Sequence, residues 1–154
     1  MTNFFTNKTT TLFCILMLSS NVSFADRFEE QVNRQLENAA RTLAGMDGYQ
    51  QTHDPYINKI STQGSYPAKF LTLKLLQGID YAILGVCDKD CIDMNLELYD
   101  ENNNRLDFDY KPDNKPLVKV APKQTGVFQV KITIPRCKAS RCNYGIGVFG
   151  KQAR

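Results

Sequence analysis

The segment from Cys87 to Asp100 constrains the fold of this chain more than any other. Polar and apolar residues alternate strictly through it, with Ile92, Met94, Leu96 and Leu98 separated by Asp93, Asn95 and Glu97. Alternation with a period of two predicts a β-strand that turns one face to a core and the other to water. Two cysteines precede this strand and an asparagine-rich turn follows it, so we expect it to belong to an antiparallel sheet.

The same pattern recurs on both sides of this strand. Apolar-rich or alternating segments lie at 68–76, 79–87, 92–99, 105–110, 117–120, 127–134 and 143–149. Residues that favour turns, mainly glycine, proline, asparagine and aspartate, separate them. About seven strands at such spacing predict an antiparallel β-sandwich or barrel. In the last strand Gly145 and Gly147 share one face, which predicts a close backbone approach or a covered surface there.

An amphipathic helix is predicted over 26–46. Its apolar residues recur every three or four positions, at Phe28, Val32, Leu36, Ala40 and Leu43. Two interpretations stay open for this stripe: it packs on the β-domain of its own chain, or it docks into a partner.

The ends of this helix and the segment after it carry weaker signals. Asp26 is the expected N-cap with Glu29 completing a capping box, and Gly45 and Gly48 mark the end. Residues 47–65 show no periodic pattern of apolar residues, which predicts a linker. The predicted division of the chain is therefore 26–64 for helix and linker and 65–154 for the β-domain. His53, the one histidine, falls in this polar segment, where we expect it to be solvated.

The first 25 residues have the pattern of a signal peptide. The apolar run 11–18 is shorter than the roughly 20 residues that span a bilayer, and small residues favour cleavage after Ala25. An uncleaved anchor is the alternative. Cleavage removes Lys8 from 19 basic and 16 acidic residues and leaves a net charge of +2. The expected location is therefore periplasmic or secreted, with no membrane span after cleavage. The net charge is too weak and too mixed in sign to predict a nucleic-acid-binding surface.

Four of the five cysteines lie outside the signal segment. An even number in an exported chain favours disulfides, and we prefer the local pairs Cys87–Cys91 and Cys137–Cys142 among the three possible connectivities. A zinc site is the alternative, because both spacings are near those of zinc ligands.

Two sets of acidic residues are candidate sites. Asp88, Asp90 and Asp93 could supply three oxygen ligands to calcium, although we favour a solvated turn as the reason for this cluster. No other cofactor is indicated. Asp107 and Asp109 share one strand face and are expected on its water side.

Aromatic residues form the other candidate site. Tyr99, Tyr110 and Tyr144, with Phe149, could line a sheet face that stacks on sugars or peptides, or they could belong to the core. The sequence contains no catalytic constellation, because nothing completes a triad around His53 or a cysteine.

Several strands together resemble the bacterial pre-peptidase C-terminal domain, a family that includes the collagen-binding domain of collagenases. The resemblance covers about 66–150 and rests on 92–100, the strand of Asp107 and Asp109, 116–120, 125–132 and 143–148. The chain differs from the family pattern in having Phe128 where tyrosine is usual, in its two close cysteine pairs, and in lacking a peptidase.

The resemblance implies a mainly β fold: a jelly-roll-like antiparallel sandwich of about seven to eight strands, preceded here by the helix. It also implies a non-catalytic exported accessory or binding module that recognises a protein or polysaccharide surface, and some members bind calcium. The alternative function is a periplasmic inhibitor or a structural subunit of an envelope complex that docks through the N-terminal helix. A hydrolase without a recognised motif is the third.

Overall fold

The computed structural model describes residues 24–61 and 67–153. Helix α1 spans Phe24–Asp47, and Gly48 follows it with φ +71°, as expected for a glycine that ends a helix. The helix begins before the predicted cleavage point, so the expected N-cap, Asp26, is instead its third residue. The rest of the predicted signal segment, residues 1–23, lies outside the described residues. No helix in the described ranges is long and apolar enough to cross a membrane.

Nine strands follow the helix in the described part of the chain. They are β1 Gln50–Gln51, β2 Tyr56–Ser61, β3 Lys69–Leu75, β4 Ile79–Cys87, β5 Cys91–Tyr99, β6 Arg105–Asp109, β7 Leu117–Val120, β8 Gly126–Cys137 and β9 Arg141–Gln152. Each of the seven strands predicted from the sequence is present.

The strands form two antiparallel sheets. Sheet A has the order β1-β9-β4-β7, with β2 also paired to β9, and sheet B has the order β3-β8-β5-β6. Inward side chains of the two sheets, such as Tyr144 and Ile146 from sheet A and Leu96, Leu98 and Ile132 from sheet B, belong to one buried core. The predicted mainly β sandwich preceded by one helix is therefore confirmed.

The prediction of a linker before residue 65 is wrong for part of that segment. Strands β1 and β2 both pair with β9, and Tyr56 to Ser61 lie opposite Ile146 to Arg141. Alternation is lost in β2 because apolar residues on both of its faces contact buried clusters, with exposed polar residues between them. Ile57 packs in the cluster under the helix, whereas Ile60 packs in the core between the sheets.

The helix packs on the outer face of sheet A. Val32 and Leu36 are buried there, and glycine lets the two layers approach closely. A Cβ built on Gly145 would lie 2.6 Å from Val32 Cγ1 and 2.8 Å from Leu36 Cδ1. The covered surface predicted from Gly145 and Gly147 is thus confirmed, and the apolar stripe of α1 packs on the domain's own sheet. Docking of the helix into a partner stays a prediction.

Two disulfides join the sheets at one end of the sandwich. Cys87 is bonded to Cys91 and Cys137 to Cys142, so each bridge connects a strand of one sheet with a strand of the other. Cys91 and Cys137 lie opposite each other in the β5–β8 ladder. The preferred local pairs are present, and with all four sulfur atoms oxidised they cannot serve as thiolate ligands for zinc.

Candidate functional site

The outer face of sheet B, which we call the open face, carries one row of side chains across all four strands. Phe70 of β3 lies opposite Lys131 of β8, Lys131 opposite Glu97 of β5, and Glu97 opposite Phe108 of β6. Leu96 and Leu98 on either side of Glu97 point into the core, so this row faces away from it. The row ends in two exposed rings, since Phe70 is 58% and Phe108 50% exposed.

A second row lies beside the first and brings in two more functional groups. Gln129 pairs with both Thr72 and Tyr99, and Tyr99 pairs with Arg105 across a register shift in β5 and β6. The irregularity lies next to the turn between β5 and β6, where Arg105 contacts the ring of Phe108.

Glu97 is the centre of a hydrogen-bonded network on the open face. Its carboxylate lies 2.7 Å from Lys131 Nζ and 3.5 Å from Arg105 Nη1, and it accepts a hydrogen bond from the Tyr99 hydroxyl. Burial raises the pKa of Glu97, but hydrogen bonds from Lys131, Tyr99 and Tyr110 lower it more, so the pKa falls to about 2. Glu97 is therefore ionised at neutral pH and holds its neighbours in one arrangement.

Arg105 joins this network to the exposed aromatic rings. Its guanidinium carbon lies 4.6 Å from the centroid of Phe108, and its Nη1 donates a hydrogen bond of 3.0 Å to the Tyr110 hydroxyl. The rings of Phe108 and Tyr110 lie 4.8 Å apart. Two rings and a cation thus form one cluster on β6, an edge strand of sheet B, and the residue that follows it.

The open face shows cations to solvent and keeps its acids beneath them. Arg105 is 46% exposed and Glu97 only 9%, and the ion pair of Arg136 with Asp93 has the same arrangement, at 54% and 14%. The negative charges of Glu97 and Asp93 are neutralised by neighbouring side chains, because each carboxylate has a cation within 3.5 Å. What a partner would meet is therefore a surface of aromatic rings and positive groups.

The structure brings together two of the three tyrosines named for the predicted aromatic site and places the third in the core. Tyr99 and Tyr110 lie on the open face around Glu97. Tyr144 is fully buried between the sheets, where burial raises the pKa of its hydroxyl, and Phe149 is buried in the cluster under the helix. Both belong to β9 of sheet A, so neither residue can join a surface formed by sheet B.

The predicted calcium ligands are divided between two places. Asp88 accepts hydrogen bonds from the backbone and side-chain nitrogens of Asn143, at 2.7 and 2.8 Å, and from Asp90 N at 3.1 Å. Asp93 pairs instead with Arg136. Within the described residues, no three histidine, cysteine or acidic side chains form a group that could hold a metal ion. Calcium binding stays a prediction, which thermal melts with calcium and with chelator would test.

Asp107 and Asp109 do not lie on the water side as expected. Asp107 accepts a hydrogen bond from Lys119 N at 2.7 Å, and Asp109 accepts one from Leu117 N at 3.1 Å. These carboxylates join edge strand β6 of sheet B to edge strand β7 of sheet A. Burial raises the pKa of Asp109, but backbone hydrogen bonds from Leu117 and Lys111 lower it more, so its net pKa is lowered. Their role is to close one seam of the sandwich.

His53 contacts neighbouring groups in the segment between β1 and β2. Its Nδ1 lies 2.9 Å from Thr52 Oγ1 and its Nε2 3.2 Å from the Lys74 carbonyl oxygen. Among the described residues, no cysteine thiol, acidic side chain or second histidine is bonded to it. The geometry gives this histidine a role in holding the segment against β3.

A cleft of about 510 Å³ lies at one end of the sandwich, between the turn after β5 and the segment before β8. Its lining includes Asp100, Leu106, Lys123 and Phe128. The Asp100 carboxylate is already bonded to Asn104, at 2.8 Å from the backbone nitrogen and 3.0 Å from the side-chain nitrogen. This cleft offers less specific chemistry than the open face.

Sequence reasoning missed four members of the network on the open face: Glu97, Arg105, Phe108 and Lys131. Glu97 and Lys131 are 34 positions apart in the sequence, and only the register of β5 against β8 brings them together. An acidic residue in the middle of a strand, with aromatic residues on the next strand, was the available signal.

Neither a protein-family model nor a curated protein matches this chain. Among solved structures, the fold is similar to the pre-peptidase C-terminal domain of a collagenase from Bacillus anthracis, with a TM-score of 0.46 and 14% identity over 60% of this chain and 87% of that one. It is also similar to PliG of Aeromonas hydrophila, a periplasmic inhibitor of g-type lysozyme, with a TM-score of 0.45 and 10% identity over 63% and 84% of the two chains. Likeness at this level describes the fold and assigns no partner or activity.

Proposed function

We propose that this protein is a non-catalytic, exported binding module that recognises another protein through its open face. The observation that carries the proposal is the exposed ring pair of Phe108 and Tyr110, held beside Arg105 and the buried carboxylate of Glu97. Tyrosine, phenylalanine and arginine are enriched in protein interfaces, and arginine and tyrosine dominate their binding energy. Fixed side chains also lose little conformational freedom on binding.

Export is supported by the two disulfides, which persist in oxidising compartments and are rare in cytosolic proteins.

A non-catalytic role is supported by the chemistry of the candidate residues. Oxidised cysteines are not nucleophiles, and His53 has a hydroxyl and a backbone carbonyl as its partners.

A protein partner fits the open face better than a polysaccharide does. Sugars stack on free ring faces, but the guanidinium of Arg105 lies over the ring of Phe108. Phe70 and Phe108 occupy opposite edges of a four-stranded sheet, about 14 Å apart at the usual strand spacing. Two exposed rings at that distance on a broad sheet face suit another folded surface.

Site-specific photocross-linking in the native envelope tests this proposal. A benzoylphenylalanine at position 70 or 108 should capture the same protein, and one at Asn33, on the exposed side of α1, should not. Affinity for that protein should fall at least about tenfold in Phe108→Ala, as expected for an aromatic anchor. Two results would contradict the proposal. One is capture of a protein from position 33 alone, and the other is unchanged affinity in both single variants, Phe108→Ala and Phe70→Ala.

A further inference from the structure

We propose that Arg105 anchors a carboxylate-binding site on the open face, which receives an aspartate or glutamate side chain of the protein partner. The inference rests on the proposed function and names the chemistry of the partner at one point of contact. Its basis is the geometry of one guanidinium, the distribution of charge around it, and the rings on which it lies.

The guanidinium of Arg105 is held on one side and free on the other. Arginine has five N–H donors in a planar fork. In the described part of the chain, its polar contacts are with Tyr110, through Nη1 at 3.0 Å, and with Glu97, through Nη1 at 3.5 Å. Both contacts use Nη1, so the edge formed by Nε and Nη2 retains two parallel N–H groups. That edge matches a carboxylate in bidentate geometry.

The guanidinium keeps its attraction for an anion although Glu97 is near. Glu97 lies closer to Lys131 Nζ, at 2.7 Å, than to Arg105 Nη1, at 3.5 Å. Lys131 thus compensates most of the carboxylate's charge, and Arg105 contributes the remaining positive charge to the surface. Stacking on Phe108 orients the plane of the fork before the partner arrives, which lowers the entropic cost of binding.

The source of the carboxylate follows from charge density. A polyanion or an anionic membrane needs several unpaired cations close together. On the open face Lys131 is paired with Glu97 and Arg136 with Asp93. Lys74 lies on β3, at the opposite edge of the sheet from Arg105, so these cations do not form a cluster. The half-exposed rings of Phe108 and Tyr110 favour apolar surface around the carboxylate. A carboxylate on a folded protein surface meets both requirements.

The direct test uses the Nε–Hε signals of arginine in the ¹⁵N-labelled chain. A random copolymer of glutamate and tyrosine serves as the acidic polypeptide, and heparin and phosphatidylglycerol vesicles serve as the other anions. We expect the Arg105 signal to move downfield with the polypeptide at physiological salt, and the signals of Arg41 and Arg141, both exposed, to stay in place. No shift at Arg105, or equal shifts of all three signals with every anion, would overturn the inference.

A conservative variant separates the fork from the charge. Arg105→Lys keeps the charge and loses the bidentate edge, so affinity for the copolymer and for the cross-linked partner should fall about tenfold. Arg41→Lys on the helix is the matched control and should bind as the wild type does. If Arg105→Lys binds the partner normally while Phe108→Ala does not, the carboxylate site is wrong and the proposed function stands. If Arg105→Lys, Phe108→Ala and Phe70→Ala all bind the partner normally, the proposed function fails as well.

Discussion

The two sheets of this protein have opposite outer faces. Sheet A turns small residues outward at Gly145 and Gly147, and helix α1 packs against them through Val32 and Leu36. Sheet B turns long polar and aromatic residues outward. Phe70 and Phe108 on that face are at least half exposed among the described residues. The same alternation of inward and outward residues thus produces one face that is covered and one that is open.

The difference teaches how to separate structural from functional aromatic residues in a sandwich. Phe149 lies on the outer side of sheet A and is buried under the helix, whereas Phe108 lies on the outer side of sheet B and is half exposed. Their sequence contexts are both alternating strands. Only the layer that covers one sheet decides which ring is available to a partner.

The largest expected difference in stability is between truncation of an apolar residue on the covered face and truncation of one on the open face. Leu36→Ala should lower the free energy of unfolding by about 2–5 kcal/mol, because it removes a buried side chain from the contact between helix and sheet. Phe70→Ala on the open face should change it by no more than about 0.5 kcal/mol. Urea denaturation of both variants measures the contrast. Equal losses would show that the open face is not free in solution.

A methyl group added at Gly145 should also destabilise the covered face. Its Cβ would lie 2.6 Å from Val32 Cγ1, and overpacking of this kind costs about 1–3 kcal/mol. The gain from restricting the unfolded chain, about 0.4–1 kcal/mol, is smaller, so Gly145→Ala should show a net loss. Gly45→Ala in α1 is the matched control. With no atom within 4 Å of its Cβ, it should stabilise the helix by up to about 1 kcal/mol. A neutral Gly145→Ala would mean that the helix is not closely packed.

The sequence was sufficient for the elements whose pattern is local. Alternation and apolar-rich runs between turn signals located β3 to β9, a period of three to four located α1, and Gly145 indicated a covered face. It was insufficient for β2, because a short strand with apolar contacts on both faces shows no alternation. Ile57 and Ile60 lie on opposite faces and both are in contact with apolar clusters.

The candidate site was predicted only in part because its members come together through strand order. Tyr99 and Tyr110 are close in sequence and were correctly grouped, but Tyr144 belongs to the other sheet. Alternation places a residue on one of two faces and does not say which strands are neighbours. The pairing of β5 with β8, which brings Lys131 to Glu97, is long-range information. Asp107 was misplaced for the same reason, since its acceptor role depends on the neighbouring β7.

The smallest effect concerns the charge beneath the open face and depends on pH. The pKa of Glu97 is lowered to about 2 in the folded protein, against about 4.3 for an unfolded glutamate. A lowered folded-state pKa means that the carboxylate stabilises the fold above about pH 4.3, and that this stabilisation is lost as the pH falls toward 2. Allowing for solvent screening at the surface, its size is about 1–2 kcal/mol.

Glu97→Gln should therefore be less stable than the wild type by about 1–2 kcal/mol at pH 7, and the difference should shrink toward zero between pH 4 and about pH 2. Glu101→Gln in the exposed turn after β5 is the control and should match the wild type within about 0.5 kcal/mol. Urea denaturation at several pH values measures both. A difference that stays constant with pH would mean that the ionised carboxylate does not hold Lys131 and Tyr99. The fixed orientation of Arg105, on which the open face depends for recognition, would then need another cause.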